Sequence, residues 1–120
     1  MTTSPFIVEI NRRYMLLFMV TILSSCTRLQ IEKSTPTCVK DKIVEFKKSK
    51  ICDDLSVEEY TFQGLTVYVF NSGTCGADLQ SEVIDSDCNY LGALGGIAGN
   101  IEINGEIFSN AIFIKTVWKK

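Results

Sequence analysis

Residues 12–26 decide how much of this chain is left to fold. Arg12 and Arg13 precede an apolar run from Met15 to Leu23, and Ser24-Ser25-Cys26 closes it. A positive stretch, a short apolar stretch and small residues at a boundary form the layout of a secretory signal. The run has nine residues, about half of the roughly 20 that a helix needs to span hydrocarbon, so it reads as a signal and not as a permanent span. The arginine pair is also a feature of twin-arginine signals, but its flanking residues match that pattern poorly. Cutting before Cys26 leaves 95 of the 120 residues, enough for one domain with a limited core. The expected organisation is a signal peptide over 1–25, a tether without periodicity over 26–34, and a single small domain over 35–120.

A core of that size gains from cross-links, and the domain carries Cys38, Cys52, Cys75 and Cys88. In an exported chain an even number of cysteines reads as disulfides, here two. Without residues 1–25 the chain holds 10 basic and 13 acidic side chains. This mildly acidic balance makes nucleic acid an unexpected partner. The lysines of 40–50 and Lys119-Lys120 read as a solvated helix face and a chain end.

Periodicity predicts the elements. Thr35-Pro36-Thr37 opens a helix: a hydroxyl can cap exposed amides, and proline suits the first turn because its missing N–H would be unpaired there. Val39, Ile43 and Phe46 recur at i, i+4 and i+7, which predicts an amphipathic helix from Cys38 to about Lys50. The period then becomes strand-like over Val57–Gln63. Gly64 marks a turn, and Leu65–Phe70 is rich in β-branched and aromatic residues on both faces, as in a central strand. Ser81–Asp85 is a third strand. Asp87–Gly99, with Gly92, Gly95, Gly96 and Gly99, reads as an irregular loop. Asn104-Gly105 is a hairpin-turn dipeptide, and Ala111–Trp118 is a closing strand. The expected class is α+β: one N-terminal helix packed on an antiparallel sheet of about four strands, stapled by disulfides.

Four cysteines allow three pairings, and the sequence leaves all three open. Cys38 and Cys52 bracket the helix, which at about 1.5 Å per residue holds them roughly 21 Å apart, beyond the reach of a bridge. A meander of strands favours Cys52–Cys75 at one end of the helix and Cys38–Cys88 at the other.

Histidine is absent from the chain, which removes Ser-His-Asp and Cys-His catalysis and histidine zinc sites. No C-x-x-C spacing occurs, and oxidised cysteines are not nucleophiles. Asp85, Asp87 and Asn89 alternate as in the start of a calcium loop. Tyr90 and Gly96, however, stand where that loop needs glycine and glutamate, so a polar turn is the better reading. The glycines of 92–99 fit neither G-x-G-x-x-G nor G-x-x-x-x-G-K-[ST], and no lysine follows to meet a phosphate. No catalytic residue, metal or cofactor is expected. Tyr68, Phe70, Phe108, Phe113 and Trp118 are core candidates; Tyr68 and Trp118 are candidates for a partly exposed binding patch, because one face of the central strand must meet something other than the helix.

Leu23-Ser24-Ser25-Cys26 resembles the lipobox of bacterial lipoproteins, whose cysteine is acylated and becomes the new N-terminus. Cys38-Val-x-Asp-Lys-Ile-Val-Glu-Phe46, Tyr60-Thr-Phe-Gln-Gly-x-Thr-Val-Tyr68, Cys75-Gly-Ala-Asp78, Gly95-Gly-Ile-Ala-Gly99 and Ile114-Lys-Thr-Val-Trp118 together resemble a family of small bacterial lipoproteins whose domain has no assigned function. The resemblance implies an exported single domain held to a membrane through lipid on Cys26. Thr27 follows that cysteine where an aspartate would signal inner-membrane retention, so the outer membrane is favoured. The expected role is a non-enzymatic module for an envelope protein, peptide or small ligand. The alternatives are a thiol-dependent redox protein or enzyme and a structural envelope component.

Overall fold

The computed structural model describes residues 30–49 and 51–120. The signal expected over 1–25, the lipid site Cys26 and residues 27–29 of the tether lie outside the described residues. Ile31–Lys120 forms one unit. Its elements are α1 (Thr37–Lys47), β1 (Ser56–Phe62), β2 (Leu65–Asn71), β3 (Gln80–Asp85), β4 (Tyr90–Gly95), β5 (Glu102–Ile103), β6 (Glu106–Ile107), a 3-10 turn at Phe108–Asn110, and β7 (Ile112–Lys119). Five strands form an antiparallel sheet in the order β4-β3-β2-β1-β7, and β5 and β6 form a separate hairpin. The sheet thus has five strands instead of about four, because β4 lies inside the segment expected to be an irregular loop. Its alternation is hidden by Gly92 and Gly95, which add no apolar side chain to the pattern.

α1 forms where the apolar stripe predicts it, with Val39 and Ile43 fully buried. Pro36 caps its start in an extended conformation, and Lys40 N–H donates to the Pro36 carbonyl at 3.0 Å. No hydroxyl caps the helix: Thr35 Oγ1 is buried and finds no partner among the described residues. The helix closes at Lys47, short of Lys50, because Lys48 and Ser49 donate to the carbonyls three residues back, the tighter bonding that ends many helices. Phe46 packs edge-on against Phe70 and Trp118, with centroids 5.3 and 6.2 Å away.

Strand register sorts the sheet's side chains. Val57 lies opposite both Phe70 and Trp118, and Tyr68 lies opposite Ile84, so these residues share the helix face. Val67, Val69 and Val83 point the other way and meet Phe62 and Ile103 in a second apolar cluster. Burying both faces explains why β2 is apolar at every position from Val67 to Phe70. Each large side chain buried in this way is worth roughly 1.5–3 kcal/mol. Gly92 lies opposite Val83, and a Cβ on it would stand 2.8 Å from Ile103 Cδ1. The glycine thus provides the room in which Ile103 docks the β5–β6 hairpin against the sheet.

Turn chemistry sets the strand ends. Gln63 and Gly64 (φ 52° and 75°) and Asn104 and Gly105 (φ 50° and 78°) are left-handed pairs, the form that matches the twist of a two-residue hairpin. β1 therefore ends at Phe62 and not at Gln63. Cys38 is bonded to Cys88 and Cys52 to Cys75, with Cα separations of 6.2 and 5.7 Å, the pairing that the meander favours. The end of the expected tether is docked: Glu32 N–H donates to the Val117 carbonyl at 3.0 Å, and Lys115 Nζ reaches Ser34 Oγ at 2.7 Å.

Candidate functional site

Two hollows on the described surface invite comparison. One, of about 280 Å³, is lined by Phe46, Phe70, Ser72, Gln80, Glu82, Tyr90 and Ala93. Several of its polar groups already have partners. Lys42 forms an ion pair with Glu82 and stands 5.8 Å over the Phe70 ring, and Ser72 Oγ donates to the Gln80 carbonyl at 2.7 Å.

The other hollow is an apolar groove of about 320 Å³ lined by Leu94, Asn100, Ile101, Ile107, Phe108 and Ser109. It exists because the chain reverses after β4. Gly95 and Asn100 exchange backbone hydrogen bonds of 2.8 and 3.0 Å, and Gly96 N–H donates to the Leu79 carbonyl at 3.1 Å. Gly95 and Gly96 have φ of 82° and 78°, values that side chains with a Cβ resist. The Asn100 amide then donates to the carbonyls of Ala93 (2.6 Å) and Glu102 (3.0 Å), holding the chain's exit beside β4. Phe108 N–H donates to the Ile101 carbonyl at 2.9 Å, so the two sides of the groove are tied by backbone.

Phe108 is held from beneath by Tyr60 and Phe62, with ring centroids at 5.2 and 5.1 Å. Tyr60 donates its hydroxyl to Glu58 at 2.8 Å, and its pKa is pushed up to about 12, first by burial and then by that carboxylate. At neutral pH it is an uncharged donor. Of the lining residues, Ile101 is 61% exposed and Ile107 44%. Exposed apolar groups that gather around a hollow mark interaction surfaces more often than isolated ones do. No carboxylate, lysine, arginine or thiol is among the lining residues, and the Ser109 hydroxyl has no base beside it in that lining, so the groove is shaped to receive apolar side chains.

The residues singled out in the sequence are distributed differently. Tyr68 and Trp118, candidates for a binding patch, are 2% and 4% exposed. α1 covers their face of the sheet, Phe46 against Trp118, and the Tyr68 hydroxyl donates to Glu59 at 3.1 Å. They belong to the core, while among the described residues the open aromatic positions are Phe113 and Tyr90. Cys38, Cys52, Cys75 and Cys88 are all in disulfides. Asp85 spends its carboxylate on a turn: Oδ1 accepts the amides of Asp87 and Asn89, each at 2.9 Å, and Oδ2 accepts the Asn89 side-chain amide at 3.0 Å. These bonds, led by the Asn89 backbone, hold its pKa below the usual carboxylate value. Among the described residues no group of three or more His, Cys, Asp or Glu could hold a metal ion. The amides of Gly95, Gly96 and Gly99 all bond to carbonyls, so the glycine-rich stretch is no anion cradle.

Leu94, Ile101 and Ile107, which no motif marked, are what the fold brings together. One signal in the sequence points to their surroundings: between Ile51 and Ile114 there are ten acidic residues and no lysine or arginine. A family model described as "Domain of unknown function (DUF6970)" matches residues 42–120, a span that includes the whole sheet and the groove. No curated protein and no solved structure matches the chain.

Proposed function

Because the chain belongs to the DUF6970 family, a domain of unknown function, its role is read from its own surface, and we propose a bacterial lipoprotein whose domain is a non-enzymatic binding module. In this reading the chain is exported, cut before Cys26 and held to a membrane, the outer membrane of a two-membrane envelope, by lipid on that cysteine. Its partner is an envelope protein or peptide. The observation that carries the binding role is the groove of Leu94, Ile101, Ile107 and Phe108, an apolar hollow whose lining isoleucines are exposed. Binding sites are typically concave and mostly apolar, with a few fixed polar groups; Ser109 fills that part here.

Site-specific photo-crosslinking in the native host tests the binding role. A photo-reactive side chain replacing Ile101 is expected to give discrete adducts that are missing when Val44, on the exposed side of α1, is replaced. Equal adducts at both positions, or none at either, would count against the groove. The anchor is tested separately by the intact mass of detergent-extracted protein. A chain beginning at Cys26 with acyl mass is expected, and an N-terminus at Met1 would sink the lipoprotein reading.

A further inference from the structure

Charge is divided along this chain more sharply than its net value of −2 conveys. From Asp53 to Glu106 every ionised side chain is acidic, while the basic residues of the described part lie on α1 and the segments flanking it, on β7 and at Lys120. The groove lies within the acidic stretch. Glu102 stands directly opposite Ile107 across the β5–β6 hairpin, on the side of the lining residue, whereas Glu106 pairs with Ile103 and lies on the other face. Among the described residues neither Glu102 nor Glu106 has an ion-pair partner. The nearest lysine that follows in sequence, Lys115, is held by Ser34 and Glu32.

We infer that the groove takes a cationic, apolar segment of a partner protein, with apolar side chains seated among Leu94, Ile101, Ile107 and Phe108 and lysine or arginine facing Glu102. This deepens the binding reading above and rests on it. Two physical terms act together. Apolar area leaves water in the groove, and the Glu102 carboxylate, with the acidic stretch around it, attracts a basic segment and repels an acidic one, which sets partner choice and encounter rate. The same acidic stretch disfavours an anionic lipid surface.

The test uses the full chain in phosphatidylcholine nanodiscs, with empty nanodiscs subtracted, and the fluorescence anisotropy of labelled peptides of equal length. The probes alternate leucine with lysine, leucine with glutamate, leucine with serine, or serine with lysine. The leucine–lysine peptide is expected to bind tightest. Ile101→Asp should weaken it about 10-fold, in the range of an interface anchor, and Glu102→Lys should weaken it several-fold, whereas Val44→Asp should leave it unchanged. Ile101 and Glu102 are exposed, so both variants are expected to fold, and a thermal melt checks this. Equal binding of the leucine–lysine and leucine–serine peptides would overturn the charge preference while leaving a binding groove. Binding of the serine–lysine peptide that ignores Ile101→Asp would overturn the groove's part in it. No binding by any peptide would remove both this inference and the groove reading beneath it. A self-associated species in sedimentation that Ile101→Asp dissolves would put a second copy in the groove instead of a partner segment.

Discussion

Single residues carry constraints that their neighbours impose. Gly92 is the clearest case, since a methyl there would meet Ile103 Cδ1 at 2.8 Å. Gly92→Ala is expected to cost about 1–3 kcal/mol, the range of overpacking in a well-filled core, and adding Ile103→Val should recover part of the loss; urea denaturation of the single and double variants checks both. Asp54 and Asp85 show a second constraint. Asp54 accepts the hydroxyl and amide of Thr74, and Asp85 the amides of Asn89 and Asp87, and these bonds lower both pKa values. A carboxylate with a depressed folded pKa adds stability that is full above its unfolded value and is lost as the pH falls through the folded one. Urea midpoints measured from pH 6 to pH 2 should therefore be flat above the ordinary aspartate pKa of 3.8 and fall below it. Asp54→Ala and Asp85→Ala should each make that fall shallower. Both carboxylates are exposed, so solvent screening keeps each effect small.

At the scale of elements, the two disulfides do unequal tasks. Cys38–Cys88 spans 50 residues and pins the start of α1 to the β3–β4 turn, while Cys52–Cys75 spans 23 and ties the approach to β1 to the loop after β2. In the chain-entropy account, the double serine replacement at 38 and 88 should cost about 4 kcal/mol and that at 52 and 75 about 3 kcal/mol. Thermal melts of the two variants should rank them in that order. β7 is an edge strand on which Ile112, Phe113 and Ile114 are all about half exposed or more. Such an edge is a template for unwanted pairing. Ile112→Lys should leave the melting temperature nearly unchanged and raise the concentration at which light scattering first appears. Strong periodicity made α1, β1, β2 and β7 legible to within a few residues. β4 was not, because two of its six residues are glycine and its pairing with β3 is a long-range choice that no local pattern records.

Over the whole molecule, the sheet is sandwiched between α1 on one face and the β5–β6 hairpin with its 3-10 turn on the other. The expected architecture leaves that second face bare and puts Tyr68 and Trp118 on it, whereas both lie on the face that α1 covers. Which face of β2 meets the helix is set by strand register, and a shift of one residue would exchange Tyr68 and Phe70 for Val67 and Val69. The hairpin's hold on the sheet should be cooperative with the core: Phe108→Ala removes a ring packed on Tyr60 and Phe62. It is expected to destabilise the domain by about 3 kcal/mol and to speed hydrogen exchange in β5 and β6, which exchange mass spectrometry reads directly. The sequence by itself determined the helix, most strands, their turns and the excess of acidic residues between 51 and 114. These depend on periodicity, on the φ values that glycine and asparagine allow, and on composition, all of which are local. The tertiary structure alone decided which cysteine pairing of the three was realised, that Tyr68 and Trp118 are core, and that Leu94, Ile101, Ile107 and Phe108 make one groove. Those outcomes depend on which distant strands pair and in what register, where burial of both sheet faces outweighs any preference of a single segment.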